Sequence, residues 1–274
     1  MTTSDTSSIR LRNVVIEKHT AMRGGYRKLV LHAPEIAPLV KPGQFAHLRV
    51  PNLRDRLLRR PFSIFKAEDE YLTIIYKVVG VGTNVLSNAP EKKLLSILAP
   101  LGNGFPVPNT TRLPVLIGGG YGAAALYMTA KTSPVKGIAF FGGRSAEDIL
   151  CVADFETLGW KVHLATEDGS LGEKGLVTDT LDRWLINEGC NLKPEFFTCG
   201  PHGMLRAVAL RAMNANCKAW ISMDRHMGCG VGACLACVQK IRTADDNWDY
   251  MRICKDGPVF ECRDIHWDDT KETT

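Results

Sequence analysis

Short apolar runs broken by Pro, Gly and charged residues fill the first third of the chain. Leu29-Val30-Leu31, Gln44 to Val50, Ser63-Ile64-Phe65 and Leu72 to Val79 are β-branched or aromatic in character and bounded by turn formers, which is the pattern of strands. Their spacing predicts a small antiparallel β-barrel. The Asn-, Thr- and Pro-rich stretch from Pro106 to Pro114 marks a break. From Leu113 the rhythm changes. Val115-Leu116-Ile117 reads as a strand, followed by a glycine run and a helix from Ala123 to Lys131. Gly137 to Phe141, Lys161 to Ala165 and Glu195 to Thr198 read as further strands. Strand alternating with helix predicts a Rossmann-like, mostly parallel α/β sheet covered by helices. After about Lys218 the composition turns to Cys, Gly and charge. The predicted organisation is therefore a β-barrel over 1–108, an α/β domain over 109–218 and a cysteine-rich segment over 219–274.

Composition narrows this picture in a few places. A chain of 274 residues with 45% hydrophobic and 23% charged residues can bury a sizeable core. The net charge of +5 is mild and the basic residues are scattered, so nucleic acid is not implied. One local run, Arg54, Arg56, Arg59 and Arg60, suits an anionic ligand or a solvated basic loop. Leu113 to Ala130 is almost uncharged, but Pro114, Gly118, Gly119, Gly120 and Gly122 break it, favouring strand, turn and helix over a membrane span. Met1 to Arg12 is polar and lacks the apolar stretch of a secretory signal. Nine cysteines, an odd number, fit a reducing cytoplasm better than a disulfide scaffold.

Four of those cysteines are spaced for a metal. Cys229, Cys234 and Cys237 form C-x4-C-x2-C, and Cys254 follows after a gap containing Trp248 and Tyr250. This is the ligand spacing of a plant-type [2Fe-2S] cluster. The residues between are Gly, Val, Gly, Ala, Leu and Ala, small enough for a backbone to wrap closely and turn its amides toward sulfur. Zinc is the rival, although it usually takes two short Cys pairs and only Cys234 and Cys237 make one. Unliganded thiols are the blander alternative, and Cys262 is a second candidate for the fourth ligand. Cys151, Cys190 and Cys217 read as small apolar fillers, and His226 as a solvated histidine.

Other motifs sit where strands end. Gly118-Gly119-Gly120-Tyr121-Gly122 closes a strand and opens a helix, where a pyrophosphate could lie against backbone amides. Thr198-Cys199-Gly200-Pro201 stands at a second strand-to-helix junction, leaving room for a flat ring, or else simply burying a small cysteine. Arg60-Pro61-Phe62-Ser63 begins a strand, with Arg60 and Ser63 read as facing one side to meet phosphate and ring. Gly80-Val81-Gly82-Thr83 precedes a helix over Asn84 to Asn88. Arg144, and the pair Glu167-Asp168, are candidates for the adenosine end of a nucleotide.

Taken in order, Arg60 to Ser63, Gly82-Thr83, Leu101-Gly102-Asn103-Gly104-Phe105, the Gly118–Gly122 turn and Cys199-Gly200-Pro201 resemble the flavin and pyridine-nucleotide motifs of the ferredoxin–NADP reductase superfamily. With Cys254-Lys255-Asp256-Gly257-Pro258-Val259-Phe260, the cysteine loop is similar to that of electron-transfer subunits of class 1B, NAD-linked dihydroorotate dehydrogenase. The resemblance covers the chain from about Asn13 to Trp267. It implies FAD held by Arg60, Pro61, Phe62, Ser63, Ile75, Tyr76, Lys77, Gly82 and Thr83. It implies NAD near Gly118, Gly119, Gly120, Gly122, Cys199, Gly200 and Pro201, with Cys199 beside the nicotinamide and flavin. The cluster ligands it implies are Cys229, Cys234, Cys237 and Cys254. The implied partner is an FMN-containing catalytic subunit, in a heterotetramer of two plus two that serves pyrimidine biosynthesis. Phe62 stands where the superfamily often has Tyr, Tyr121 replaces an aliphatic residue, and Ala99 replaces Gly. A subunit of another NAD(P)H:ferredoxin or sulfide oxidoreductase complex is one alternative, and a zinc-stabilised binding module is another.

Overall fold

A computed structural model describes residues 8–51, 58–189 and 192–267 of the chain. Arg54, Arg56 and Cys190 lie outside the described residues. The first sheet is antiparallel throughout and contains β1 (Arg10–Ala21), β2 (Tyr26–His32), β3 (Phe45–Leu48), β4 (Arg60–Ser63), β5 (Lys66–Glu68), β6 (Tyr71–Lys77) and β7 (Leu94–Leu101). Its order is β4-β3-β7-β1-β2-β6-β5. Alternation along β2 sends Leu29 and Leu31 into the core while Lys28 and Val30 stay half-buried, as a one-sided pleat requires. The sheet curls until β4 meets β6, where the rings of Phe62 and Tyr76 pack edge to face at 5.4 Å. This is the expected antiparallel barrel.

The strand expected to begin at Arg60 does so, but it ends at Ser63, short of the expected Ile64 and Phe65. Pro61 has no N–H to give a ladder, which is tolerated because β4 lies at the sheet edge. The register pairs Leu48 with Arg60 and Phe45 with Ser63. Arg60 and Ser63 are thus an odd number of positions apart in one strand and face opposite sides, contrary to expectation. Between β6 and β7 lies α1 (Val81–Ser87). It starts before the expected Asn84 because the Thr83 hydroxyl oxygen accepts from the N–H groups of Val79 at 2.9 Å and Gly80 at 3.1 Å, capping the first turn.

The second sheet contains β8 (Leu113–Gly119), β9 (Ile138–Gly143), β10 (Lys161–Thr166), β11 (Glu173–Lys174), β12 (Pro194–Cys199), β13 (Lys218–Ser222) and β16 (Val259–Glu261), in the order β11-β10-β9-β8-β12-β13-β16. Every pairing is parallel except β13 with β16. The helices are α2 (Gly122–Ala125), α3 (Tyr127–Thr132), α4 (Val152–Thr157), α5 (Val177–Asn187) and α6 (His202–Asn214). The single helix expected from Ala123 to Lys131 is two, because at Leu126 the N–H bonds back only three residues, to Ala123 O at 3.2 Å. A hairpin of β14 (Val238–Arg242) and β15 (Trp248–Arg252) stands apart from both sheets.

Two apolar cores result. One joins the barrel to Leu116, Phe141, Phe155 and Phe197 on one face of the parallel sheet. The other joins Phe140, Trp184 and Phe196 on the opposite face to Cys237, Ile253 and Cys254. Strand order reverses between β8 and β12, so the crevice of this α/β sheet opens at their carboxyl ends. Among the described residues no helix is long and apolar enough to cross a membrane.

Candidate functional site

The four cysteines singled out by spacing come together around one loop. Cys229 Sγ accepts from the amides of Val231 at 3.4 Å, Ala233 at 3.2 Å and Cys234 at 3.4 Å. Cys234 Sγ accepts from the Cys229 amide, Cys254 Sγ from Gly232 at 3.1 Å, and Cys237 Sγ from Cys254. Gly230, Gly232 and Leu235 all have positive φ, and this reverses the chain often enough to aim amides inward. Cys237 and Cys254 are buried, Cys229 is half-buried and Cys234 is exposed.

The electrostatics fit a cation between these sulfurs. Burial pushes the Cys229 thiol up, but the amides of Val231, Cys234 and Ala233 outweigh it and bring it down to about 6. Cys254 goes the other way, pushed up to about 12 by burial and then by neighbouring Cys237. Crowded thiols that resist joint ionisation are relieved by a metal, which holds them deprotonated. Among the described residues no three His, Cys, Asp or Glu side chains converge on a point that would hold a single ion. A two-iron cluster, spreading four thiolates over two metals, makes no such demand. Cys262 stands apart, its thiol donating to Glu261 and its amide bonded to Ala219. Cys151 is half-buried, Cys217 is buried, and His226 is exposed.

The flavin candidates gather on the barrel where β4 faces β6 and α1. Arg60 lies over the start of α1, with Nε 3.4 Å from where a Cβ on Gly82 would stand. Tyr76 is buried with its hydroxyl 2.9 Å from His19 Nε2. Ile75 is buried and Ser63 half-buried. Two expected ligand groups are already engaged within the protein. Thr83 caps α1, and Lys77 Nζ donates to Asp148 Oδ1 at 2.6 Å. A guanidinium beside a helix start and an aromatic pair together match the phosphate and ring of a flavin nucleotide.

The nucleotide candidates meet at the crevice. Cys199 is in register with Gly118, and a Cβ on Gly122 would overlap Cys199 O, so only glycine lets α2 begin this close to β12. Gly119 packs against Pro201 and Met204. Cys199 is half-buried, and burial pushes its thiol up to about 12, so it is a small neutral group rather than a thiolate. Arg144 and Asp168 adjoin, the Asp168 amide donating to Arg144 O at 3.1 Å, while the Asp168 carboxylate accepts from Ser170.

Three residues carry joints that the sequence did not assign to them. Asp148 accepts from Tyr26 at 2.7 Å as well as from Lys77, tying the barrel to the parallel sheet. Asn103, expected within a flavin or nucleotide motif, instead donates to Lys255 O and Asp256 O, fastening the barrel to the turn that carries Cys254. His47 is fully buried against Gly230. A histidine in the apolar run Phe45 to Val50 is the one signal that sequence offered for it.

Residues 224–266 match the family model of the iron-sulfur cluster binding domain of dihydroorotate dehydrogenase B. The electron transfer subunit of dihydroorotate dehydrogenase B (NAD(+)) from Bacillus velezensis is 36% identical over 92% of this chain and 98% of its own length. The chain belongs to that family of electron-transfer subunits. The subunit from a Geobacillus species is 33% identical over 94% of this chain and 99% of its own. A solved structure of an NADH-dependent reduced ferredoxin–NADP oxidoreductase, in work on flavin-based electron bifurcation, is 27% identical with TM-score 0.81 over 94% of this chain and 91% of that one. A ferredoxin reductase of carbazole 1,9a-dioxygenase shares the fold at 20% identity and TM-score 0.63, over 76% of this chain and 67% of its own. That neighbour extends over less of this chain than the family relatives do.

Proposed function

We propose that this chain passes electrons from an FMN-containing dihydroorotate dehydrogenase subunit to NAD+, through its own [2Fe-2S] cluster and FAD, in the cytoplasmic synthesis of pyrimidines. The gathering of Cys229, Cys234, Cys237 and Cys254, with loop amides pointed at their sulfurs, carries the reading. A flavin takes a hydride as two electrons and a [2Fe-2S] cluster moves one at a time, so a chain holding both converts between the two kinds of carrier.

In this reading the chain divides into an FAD-binding barrel, 1–108, an NAD-binding unit, 109–218, and a cluster segment, 219–274, although β13 and β16 of the last segment complete the parallel sheet. The four cysteines are the metal ligands. Arg60, Gly82 and Thr83 hold the flavin pyrophosphate, while Pro61, Phe62, Ser63, Ile75, Tyr76 and Lys77 shape the ring site. Gly118, Gly119, Gly120 and Gly122 receive the nucleotide phosphates, and Gly200 and Pro201 leave space for the nicotinamide. Cys199, neutral and small, borders that space without blocking it. Exposed Val231 and Leu235 flank exposed Cys234, a rim suited to a docked catalytic subunit in an assembly of two plus two. The likeness to the ferredoxin–NADP oxidoreductase favours one second reading, a subunit whose partner is a ferredoxin.

Anaerobically purified chain is expected to be coloured, with about two irons and about one flavin per chain. Cys254→Ala should lose the iron and keep the flavin. Dihydroorotate-dependent reduction of NAD+ should require the catalytic subunit, and NADH-dependent reduction of ferredoxin in its place would support the second reading. Colourless protein, iron unaffected by Cys254→Ala, or dihydroorotate turnover by this chain alone would overturn the proposal.

A further inference from the structure

His47 occupies a position that the electron path does not explain by itself. It lies on β3, next to the strand that begins Arg60-Pro61-Phe62-Ser63, in register with Pro61. Alternation along β3 sends Ala46 and Leu48 into the barrel core and Phe45 the other way, into the core that holds Cys237 and Cys254. His47 shares the face of Phe45. Its side chain is fully buried, and neither ring nitrogen has a hydrogen-bond partner. The nitrogen Nδ1 is aimed at the cysteine loop: a Cβ on Gly230 would collide with it and stand 3.2 Å from Cε1 and Cγ. The main chain of Arg59 and Cys229 is near enough to act on the ring electrostatically, without the geometry of a hydrogen bond.

A buried polar nitrogen without a partner is costly, and apolar side chains of similar size would fill this place without that cost. Phe45, two residues back on the same face, does so. The imidazole is thus set where β3, the neighbour of the strand that begins Arg60-Pro61-Phe62-Ser63, meets the cysteine loop at Gly230. Groups just outside the ligands of a cluster orient the loop and tune the metal through packing and hydrogen bonding to its sulfurs.

We propose that His47 is a positioning residue that braces the cluster loop against the flavin strands, its polar ring nitrogen held against the peptide between Cys229 and Gly230, and so fixes how the cluster faces the flavin. The inference rests on the cofactor reading above. Its variants should therefore be studied in the full chain loaded with FAD and iron, with iron and flavin content measured first.

His47→Leu is expected to keep both cofactors, to shift the electron paramagnetic resonance of the reduced cluster and its midpoint potential, and to slow electron passage from flavin to cluster about tenfold. Reduction of the flavin by NADH should slow less. His47→Gln, which keeps a donor, should recover part of the shift. Gly230→Ala, which presses a methyl group into the imidazole, should reproduce it. A wild-type spectrum, potential and rate in His47→Leu would overturn the proposal. So would loss of iron that His47→Gln does not restore while Gly230→Ala stays silent, since that pattern describes packing alone. Wild-type chain that binds neither iron nor flavin would instead defeat the cofactor reading.

Discussion

At Cys229 three amides converge on one sulfur, and each must be carried there by a backbone that most residues resist. Gly232 supplies the amide for Cys254 and has φ of 82°, so its conformation and its hydrogen bond are one feature. An alanine there meets Lys255, whose Cδ can swing away but whose Cβ, 2.9 Å off, is held by its own backbone, and it also meets a left-handed conformation that cannot be relieved. The strain costs about 1–2 kcal/mol for a residue with a Cβ. Gly232→Ala is expected to lower iron per chain and leave flavin content intact. Iron assay beside the visible flavin band measures both, and full iron at wild-type thermal stability would contradict the argument. The C-x4-C-x2-C spacing made three of these sulfurs legible in the sequence, because a tight loop fixes local separations. Which distant cysteine joins them is a tertiary fact. The structure brings Cys254 to Gly232 and Cys237, while Cys262 is held beside Ala219.

Elements were legible where the apolar run is clear, whether one face is buried, as in β2, or both, as in β8, β9 and β12. β2, β6, β8, β9, β10 and β12 all contain apolar runs, and all lie within a residue or two of where those runs place them or extend them outward. β1 escaped because Arg10, Arg12, Glu17 and Lys18 dilute its inward Val14 and Ile16, whose burial depends on strands far away in sequence. β13 escaped because it opens the cysteine-rich segment, where composition suggested a break. No local pattern could reveal that Asp148, just after β9, would meet Tyr26 of β2 and Lys77 of β6. Burial alone would raise this carboxyl, but bonds from Lys77, Tyr26 and the Arg144 amide outweigh it and hold it below the ordinary carboxylate range. A lowered folded value means that the stabilisation is present above the unfolded value, about 4, and is lost as pH falls through the folded one. Asp148→Asn should cost about 2 kcal/mol near neutral pH, the scale of a charge-assisted hydrogen bond. Denaturant titrations of both proteins from about pH 7 down to about pH 3 should show that difference shrinking in acid. A difference that is constant with pH would assign the loss to shape instead of charge.

Across the whole molecule, the barrel is the hub to which the other two parts are fastened. The parallel sheet is tied to it through Asp148 and through Lys66, whose ammonium lies 2.7 Å from Asp154 of α4. The cluster segment joins the parallel sheet through β13, which pairs with β12 and β16, and is tied to the barrel by Asn103, which follows β7. The Asn103 side chain donates to the carbonyls of Lys255 and Asp256, and its amide donates to Gly257 O at 2.6 Å, so one residue closes the turn carrying Cys254. Replacing it with alanine removes the two side-chain bonds and leaves the backbone bond. Exposed bonds of that kind contribute about 1 kcal/mol together, enough to raise the population of a locally opened turn about fivefold. The native fold does not depend on them, since β16 still pairs and Cys254 stays in its apolar core. Asn103→Ala should therefore bind a full complement of iron and melt close to wild type. It should nevertheless release iron to a chelator several times faster, because the opened turn exposes one ligand of four and opening precedes loss. Stopped-flow bleaching of the cluster absorbance in excess chelator reads this rate directly. A wild-type rate would mean that iron leaves from the side of exposed Cys234, with the barrel playing no part in retaining it.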